Sequence, residues 1–153
     1  MKYDVLIEQE VRTLKQALEL HKKEIECANE CRELALDNAK RLDDETKAHG
    51  ISYDKERVTS SINVTPYVNE LIILQASYEI EEKHHRQNAY EIRKKYKISE
   101  RLKKLNENEK KYIKDIYFDC KSIAEMSRIK KTSKNYVSVY LNKCIRKMAG
   151  ADE

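Results

Sequence analysis

The stretch KSIAEMSRIKKTSKNYVSVYLNKCIRKM, residues 121–148, contains two short amphipathic segments separated by a basic, Ser/Thr-rich break. Ser122 and Ser133 each stand just before one of these segments, and Ser is a preferred N-cap because its hydroxyl accepts a backbone N–H of the first helical turn. Glu125 follows Ser122 at the spacing of a capping box. The pattern therefore predicts two helices joined by a turn at 129–132. This turn either aims the last helix at DNA or forms an ordinary corner of a helical bundle.

The segment just before this stretch adds a third helix. LNENEKKYIKDIYF, which begins at Leu105, places apolar residues on one side at helical spacing. Ser127 is small enough to allow close helix crossing. The side chains predicted to form the core of the three helices are Tyr112, Ile113, Ile116, Tyr117, Ile123, Met126, Val137, Tyr140, Leu141, Cys144, Ile145 and Met148.

Residues 4–47 predict one long helix, because apolar residues recur at alternating spacings of three and four, which is a heptad pattern. His21 and Arg32 interrupt this apolar seam, and polar residues there can fix register or choice of partner. The predicted seam residues are Ile7, Val11, Leu14, Leu18, His21, Ile25, Ala28, Arg32, Ala35, Ala39 and Leu42.

The heptad pattern stops at residues 48–64, where Gly50 and a Ser/Asn-rich run predict a loop. Thr65-Pro66 then predicts the start of a second long helix, since Pro is favoured in a first helical turn. This helix is expected to continue to about Lys104, with a bend near Ile98. The two long helices can pair within one chain as an antiparallel hairpin or between two chains in a dimer, and periodicity does not separate these cases.

Composition supports an all-α fold, because the 153 residues include two Gly, one Pro, one Phe and 38% charged residues. Charge divides the chain: residues 1–100 hold 17 Lys/Arg and 20 Asp/Glu, and residues 101–153 hold 14 Lys/Arg and 7 Asp/Glu. We therefore predict a coiled-coil or hairpin region at 1–104 and a basic helix-turn-helix domain at 105–149. A basic module of this kind is typical of proteins that bind polyanions.

Residues 105–148 resemble the helix-turn-helix of sigma-70 region 4 over about 44 residues, without a gap. The features that carry this resemblance are Leu105, Glu107, Glu109, Tyr117-Phe118, Ser122, Met126, Ser133, Val137 and Cys144-Ile145-Arg146-Lys147-Met148. The chain departs from the motif at Lys131, where Gly is usual, and at Lys130, where an apolar residue is usual. It has no counterpart of the sigma region that melts the promoter.

The layout of the whole chain resembles the RinA/ArpU-like group of phage regulators in Gram-positive hosts, more loosely over residues 1–104. This resemblance implies a transcriptional regulator that binds double-stranded DNA in the major groove. The positions that it assigns to base reading are Lys134, Asn135, Ser138 and Val139. The candidates for phosphate contacts are Lys130, Lys131, Ser133, Tyr136, Lys143 and Arg146. The long helices are expected to form a homodimer or to contact RNA polymerase.

The remaining sequence features favour a binding protein rather than an enzyme. We find no nucleophile elbow, phosphate loop or metalloprotease motif, and we expect no cofactor. Cys27 and Cys31 lie on one helix face, and in a hairpin His84 or His85 would come beside them. Thiolates with imidazole suit zinc, but a buried cysteine is more often a small hydrophobe, so we expect no metal.

No apolar run approaches the length of a membrane span, and the start MKYDVLIEQE lacks a signal-peptide core. We therefore expect a cytoplasmic protein without membrane contact, with its four cysteines reduced. Two other functions are compatible with the sequence: a coiled-coil adaptor whose basic end binds an acidic partner, and a phage DNA-packaging protein. Binding to specific promoter sites would separate the regulator from both.

Overall fold

The computed structural model describes residues 2–48 and 66–151, and the predicted loop and the Thr65 cap lie outside these residues apart from Ala48. The regular elements of the described residues are all α-helices, which confirms the predicted all-α class. They are α1 (Lys2–Ala48), α2 (Pro66–Lys95), α3 (Ile98–Leu102), α4 (Glu107–Tyr117), α5 (Ile123–Lys130) and α6 (Lys134–Met148). None of these helices is long and apolar enough to cross a membrane.

The chain divides into two compact units. The first unit contains the residues up to Glu26 and those from Arg86 onward, and the second unit is Cys27–His85. The sequence placed a boundary between residues 104 and 105 instead. The structural division differs because the first half of α1 belongs to the same core as the three C-terminal helices.

The core of the first unit joins five helices around a single hydrophobic cluster. Leu14 and Leu18 of α1 lie in this cluster together with Ile113 of α4, Met126 of α5 and Leu141 of α6. The buried members are Leu14, Leu18, Ile98, Leu102, Leu105, Tyr112, Ile113, Ile116, Tyr117, Met126, Val137, Leu141, Cys144, Ile145, Met148 and Ala149. Three short helices present too little apolar surface to enclose one another, so α1 and α3 supply the remaining cover.

In the second unit, the end of α1 lies antiparallel to the start of α2. Asn38 Nδ2 donates to the Leu71 carbonyl at 2.7 Å and to Gln75 Oε1 at 3.1 Å. Cys31 Sγ donates to Glu81 Oε2 at 3.7 Å. Lower residue numbers on α1 therefore pair with higher residue numbers on α2, as in an antiparallel arrangement. Of the two open alternatives, the structure therefore shows the pairing within one chain.

The predicted seam of α1 is buried or half-buried at every position except Arg32, which is exposed. Its neighbour Cys31 is buried in its place. Two successive steps of three residues, from Ile25 to Ala28 to Cys31, move the buried face locally onto Cys31. The predicted seam resumes at Ala35, which is buried and lies one heptad after Ala28.

The second long helix ends earlier than predicted. Instead of continuing to about Lys104, α2 ends at Lys95, and Lys97 adopts a left-handed conformation with φ 52°. A residue in this conformation cannot continue a right-handed helix. The separate helix α3 follows at the place where a bend near Ile98 was predicted, and its Ile98 and Leu102 are buried.

Candidate nucleic-acid interface

Two serine caps define the helix-turn-helix, as predicted. The Ser122 hydroxyl accepts the Glu125 N–H at 3.1 Å, and the Ser133 hydroxyl accepts the Tyr136 N–H at 3.1 Å. Both serines have extended backbone conformations, as N-cap residues do. These caps fix where α5 and α6 begin. The turn comprises residues 131–133 rather than the predicted 129–132, because Ile129 and Lys130 still belong to α5.

The turn between α5 and α6 is tight and basic. Lys131, where the resemblance leads us to expect Gly, has φ 55° and ψ 42°, so this lysine adopts the left-handed conformation that Gly favours. Ser127 closes the turn from α5: its hydroxyl donates to the Thr132 carbonyl, and its own carbonyl accepts the Thr132 N–H at 3.1 Å. The direction of α6 is therefore set by local hydrogen bonds as well as by its core side chains.

The N-terminal half of α6 presents an open outer face. Val137 on the inner side is fully buried, whereas Lys134 and Asn135 are exposed and Val139 keeps 59% of its surface. Ser138 is half-buried. Within the described part of the chain, the side chains of Lys134 and Asn135 form no hydrogen bond or ion pair. The structure thus brings the four predicted base-reading residues together on the first turns of one helix.

The residues predicted to contact phosphates differ in their exposure and in the partners that they already have. Lys131 and Lys143 are exposed, and Tyr136 is exposed with its ring nearly parallel to that of Tyr140, 6.2 Å away. Lys130 is half-buried with Nζ 5.2 Å from the centroid of the Tyr112 ring. The Ser133 hydroxyl is used in the N-cap, although its proton remains available as a donor. Arg146 Nη1 forms an ion pair with Glu8 Oε1 of α1.

Ile123 was predicted to face the core, and this prediction is wrong. Its side chain is 36% exposed, whereas Met126 is fully buried. Because α5 has only eight residues, one residue of its first turn lies at the rim of the core, and Met126 carries the main apolar contact of the helix.

A capping box at the start of α4, which the sequence interpretation missed, also contacts α6. The Asn106 side chain accepts the Glu109 N–H at 2.9 Å, and the Glu109 carboxylate accepts the Asn106 N–H at 3.0 Å. Glu109 also accepts a bond from Lys147 Nζ of α6 at 3.0 Å. Burial alone would raise the pKa of Glu109, but these donors together lower it below its ordinary value. The Asn-x-x-Glu spacing was the available signal.

A buried histidine connects α1, α2 and α4. His21 Nδ1 lies 3.0 Å from the Tyr117 carbonyl, and Arg93 Nη1 lies 2.6 Å from His21 Nε2. Since a guanidinium can only donate, Nε2 accepts and Nδ1 carries the proton that is donated to the carbonyl. The Phe118 ring lies against the imidazole with centroids 4.6 Å apart. Burial lowers the pKa of His21, so the neutral form fits this site.

The candidate metal ligands Cys27, Cys31 and His85 do not form a site. Cys31 has Glu81 as its partner, and burial raises the pKa of its thiol, which disfavours the thiolate that zinc requires. Over residues 2–48 and 66–151, no group of three or more His, Cys, Asp or Glu side chains is arranged to hold a metal ion.

Comparison with protein-family models, with curated proteins and with solved structures finds no match for the chain.

Proposed function

We propose that the chain is a DNA-binding transcriptional regulator of phage or prophage genes, and that α6 reads the major groove. The observation that best supports this is the exposed, unpaired face formed by Lys134 and Asn135 at the start of a capped helix. Recognition helices contact base edges with their N-terminal residues, and this face stands where such contacts are made. The assignment to phage genes rests on the resemblance of the sequence.

The side chains on this face suit base recognition. Asn135 can bind adenine through two hydrogen bonds, and Lys134 can donate to the N7 and O6 acceptors of guanine. Val139 offers an exposed apolar surface that fits the methyl group of thymine. Each well-formed bidentate pair contributes about 1–3 kcal/mol of discrimination against a wrong base.

Exposed cations near this face can contact DNA phosphates, and such contacts do not depend on the DNA sequence. Lys131 in the turn and Lys143 on α6 are exposed and available to phosphates. Arg146 would exchange Glu8 for a phosphate, whereas Lys130 would leave the Tyr112 ring. Contacts of this kind fix the register on the duplex and give binding its salt dependence.

The protein would act as a homodimer that places two copies of α6 on two half-sites, or it would contact RNA polymerase through its long helices. The second unit supports the homodimer, because Ile73 and Ile80 of α2 are exposed, whereas its Val68 and Leu71 are buried.

The test is to incubate the full-length protein with fragmented DNA of its source genome and a nonspecific competitor, and to sequence what stays bound. Enrichment of one or a few promoter-proximal sites is expected. The Asn135→Ala variant should bind the enriched site more weakly and with relaxed choice at one base pair. The matched Asn142→Ala variant removes an exposed asparagine farther along α6 and should keep the enriched site. Salt-sensitive binding of all fragments alike would contradict the proposal.

A second candidate function is an adaptor whose C-terminal helices bind a protein. The observation that favours it is the exposed apolar surface of Ile129, Tyr136 and Val139 on α5 and α6. Exposed apolar side chains mark protein interfaces where they form a contiguous patch. Loss of site enrichment in Asn135→Ala would speak against the adaptor, whereas wild-type protein without enrichment would favour it.

A further inference from the structure

The first unit contains a cationic cavity away from the helix proposed to read DNA. Its volume is about 500 Å³. The side chains that give it its chemical character are Arg93, Lys103, Lys110, Lys114, Phe118 and Asp119. None of the described residues that line it belongs to α5 or α6.

The charge of this cavity is poorly balanced by the protein. Asp119 is the one carboxylate among the described lining residues. Lys110 reaches Glu107 at 3.4 Å, but that glutamate is almost fully exposed. Lys103 and Lys114 form no ion pair with any residue in the described ranges. Four cations therefore face a single acidic side chain, and an anion in the cavity would relieve their mutual repulsion.

Arg93 points to an anionic ligand through its surroundings as well as through its charge. It is half-buried, and its hydrogen-bond partner is the neutral imidazole of His21 at 2.6 Å. Its guanidinium also lies 5.9 Å from the ring centroids of Tyr90 and Phe118. No carboxylate is paired with it in the described part of the chain. A partly buried cation is costly without a counter-ion, and a planar guanidinium suits the oxygens of a phosphate.

We propose that this cavity binds a phosphate-bearing small molecule of mononucleotide size. The volume lies within the range of small-molecule sites, and such sites combine an apolar wall with a few polar groups. Here Phe118 and Leu102 supply the apolar wall, and Arg93 with the three lysines supplies donors for two or more negative charges. A small molecule fits better than the backbone of a duplex on α6, because the lining residues belong to other segments of the chain.

The experiment is calorimetric titration of the full-length protein with ATP, with pyrophosphate and with adenosine, at constant ionic strength. Saturable binding is expected for ATP and pyrophosphate but not for adenosine. The double variant Lys110→Gln/Lys114→Gln should weaken pyrophosphate binding about tenfold or more, since each lysine gives a charge-assisted hydrogen bond. The control is Lys111→Gln, which removes an exposed cation from the same helix outside the cavity and should bind like the wild type.

Three outcomes would overturn the proposal. The first is no saturable binding of pyrophosphate or ATP at millimolar concentration. The second is an equal loss in Lys111→Gln and in the double variant, which would mean a general attraction of anions to α4. The third is pyrophosphate binding no tighter than chloride, together with weaker binding of a DNA duplex by the double variant, which would assign the lysines to DNA. Because the titrations contain no DNA, failure of the proposed DNA binding leaves them unchanged.

Discussion

Lys131 adopts a left-handed backbone conformation, with φ 55°, in the turn that precedes α6. A residue with a Cβ atom pays roughly 1–2 kcal/mol for this conformation, whereas Gly adopts it freely. Lys131→Gly should therefore raise the free energy of unfolding by up to about 1 kcal/mol, because the greater entropy of unfolded Gly offsets part of the gain. It should also weaken DNA binding and reduce the salt slope by about one unit. Urea denaturation and salt-titrated binding measure the two effects.

Lys97→Gly is the matched control for this substitution. Lys97 has φ 52°, is exposed and lies before α3, outside the residues proposed to contact DNA. It should show the gain in stability without the loss of affinity. If Lys131→Gly binds DNA with unchanged affinity and salt slope, Lys131 makes no phosphate contact.

His21 makes stability depend on pH near neutrality. Burial lowers its pKa in the folded protein, whereas in the unfolded chain the pKa is about 6.5. The unfolded state therefore binds the proton first as pH falls, and stability that is fully present above about pH 6.5 is lost below it. We expect the Tm, measured by circular dichroism, to fall as the pH is lowered from 7.5 to 5.5. Protonated His21 would face the Arg93 cation, and its Nε2 could no longer accept the Arg93 hydrogen bond.

His21→Gln tests this assignment, since a neutral amide can donate to the Tyr117 carbonyl and accept from Arg93. This variant should lose most of the Tm difference between the two pH values, whereas His84→Gln, which removes an exposed histidine, should keep it. An undiminished difference in His21→Gln would place the titrating group elsewhere.

At the scale of elements, the capping box of α4 is the local interaction with the clearest expected cost. Asn106→Ala removes the acceptor of the Glu109 N–H and should lower the free energy of unfolding by about 1 kcal/mol. Glu107→Ala is the control, because Glu107 is almost fully exposed and pairs only with Lys110 at i,i+3 among the described residues. It should cost a few tenths of a kcal/mol. Equal effects in urea denaturation would show that the box adds nothing beyond helix charge.

Local signals made the C-terminal helices predictable, and their absence explains the errors elsewhere. Ser122 and Ser133 predict where their helices begin, because an N-cap hydroxyl bonds to a backbone N–H only three residues away. The sequence predicted only a bend near Ile98, because no capping residue marks Lys97, whose left-handed conformation follows the end of α2. The burial of Cys31 instead of Arg32 likewise depends on how α1 packs against α2. The spacing of apolar residues within α1 alone does not show this packing. The motif predicted which residues form the proposed DNA-binding face. It did not predict the partners of Lys130 and Arg146, which come from other helices and are visible only in the tertiary structure.

At the scale of the whole molecule, α1 is part of the core that supports the helix-turn-helix. Leu18 is fully buried in this cluster, whereas Leu20 on the same helix is 52% exposed. Leu18→Ala should cost about 2–5 kcal/mol and speed amide exchange in α6 as well as in α1. Leu20→Ala should change stability by less than about 0.5 kcal/mol. If exchange in α6 stays unchanged in Leu18→Ala, residues 105–149 fold on their own, as the sequence first indicated.

Self-association must use a surface other than the predicted seam of α1, since that seam packs into the core cluster in the first unit and against α2 in the second unit. Ile73 and Ile80 are 62% and 67% exposed and lie seven residues apart, hence on one face of α2, whereas Val68 and Leu71 are buried. If two chains pair along this face, sedimentation equilibrium of the full-length protein should show a dimer at micromolar concentration, and Ile73→Glu/Ile80→Glu should be monomeric. Leu36→Glu, which changes an exposed leucine of α1, should remain dimeric. A monomeric wild type would exclude the two-half-site arrangement and leave α6 to bind DNA as a single copy.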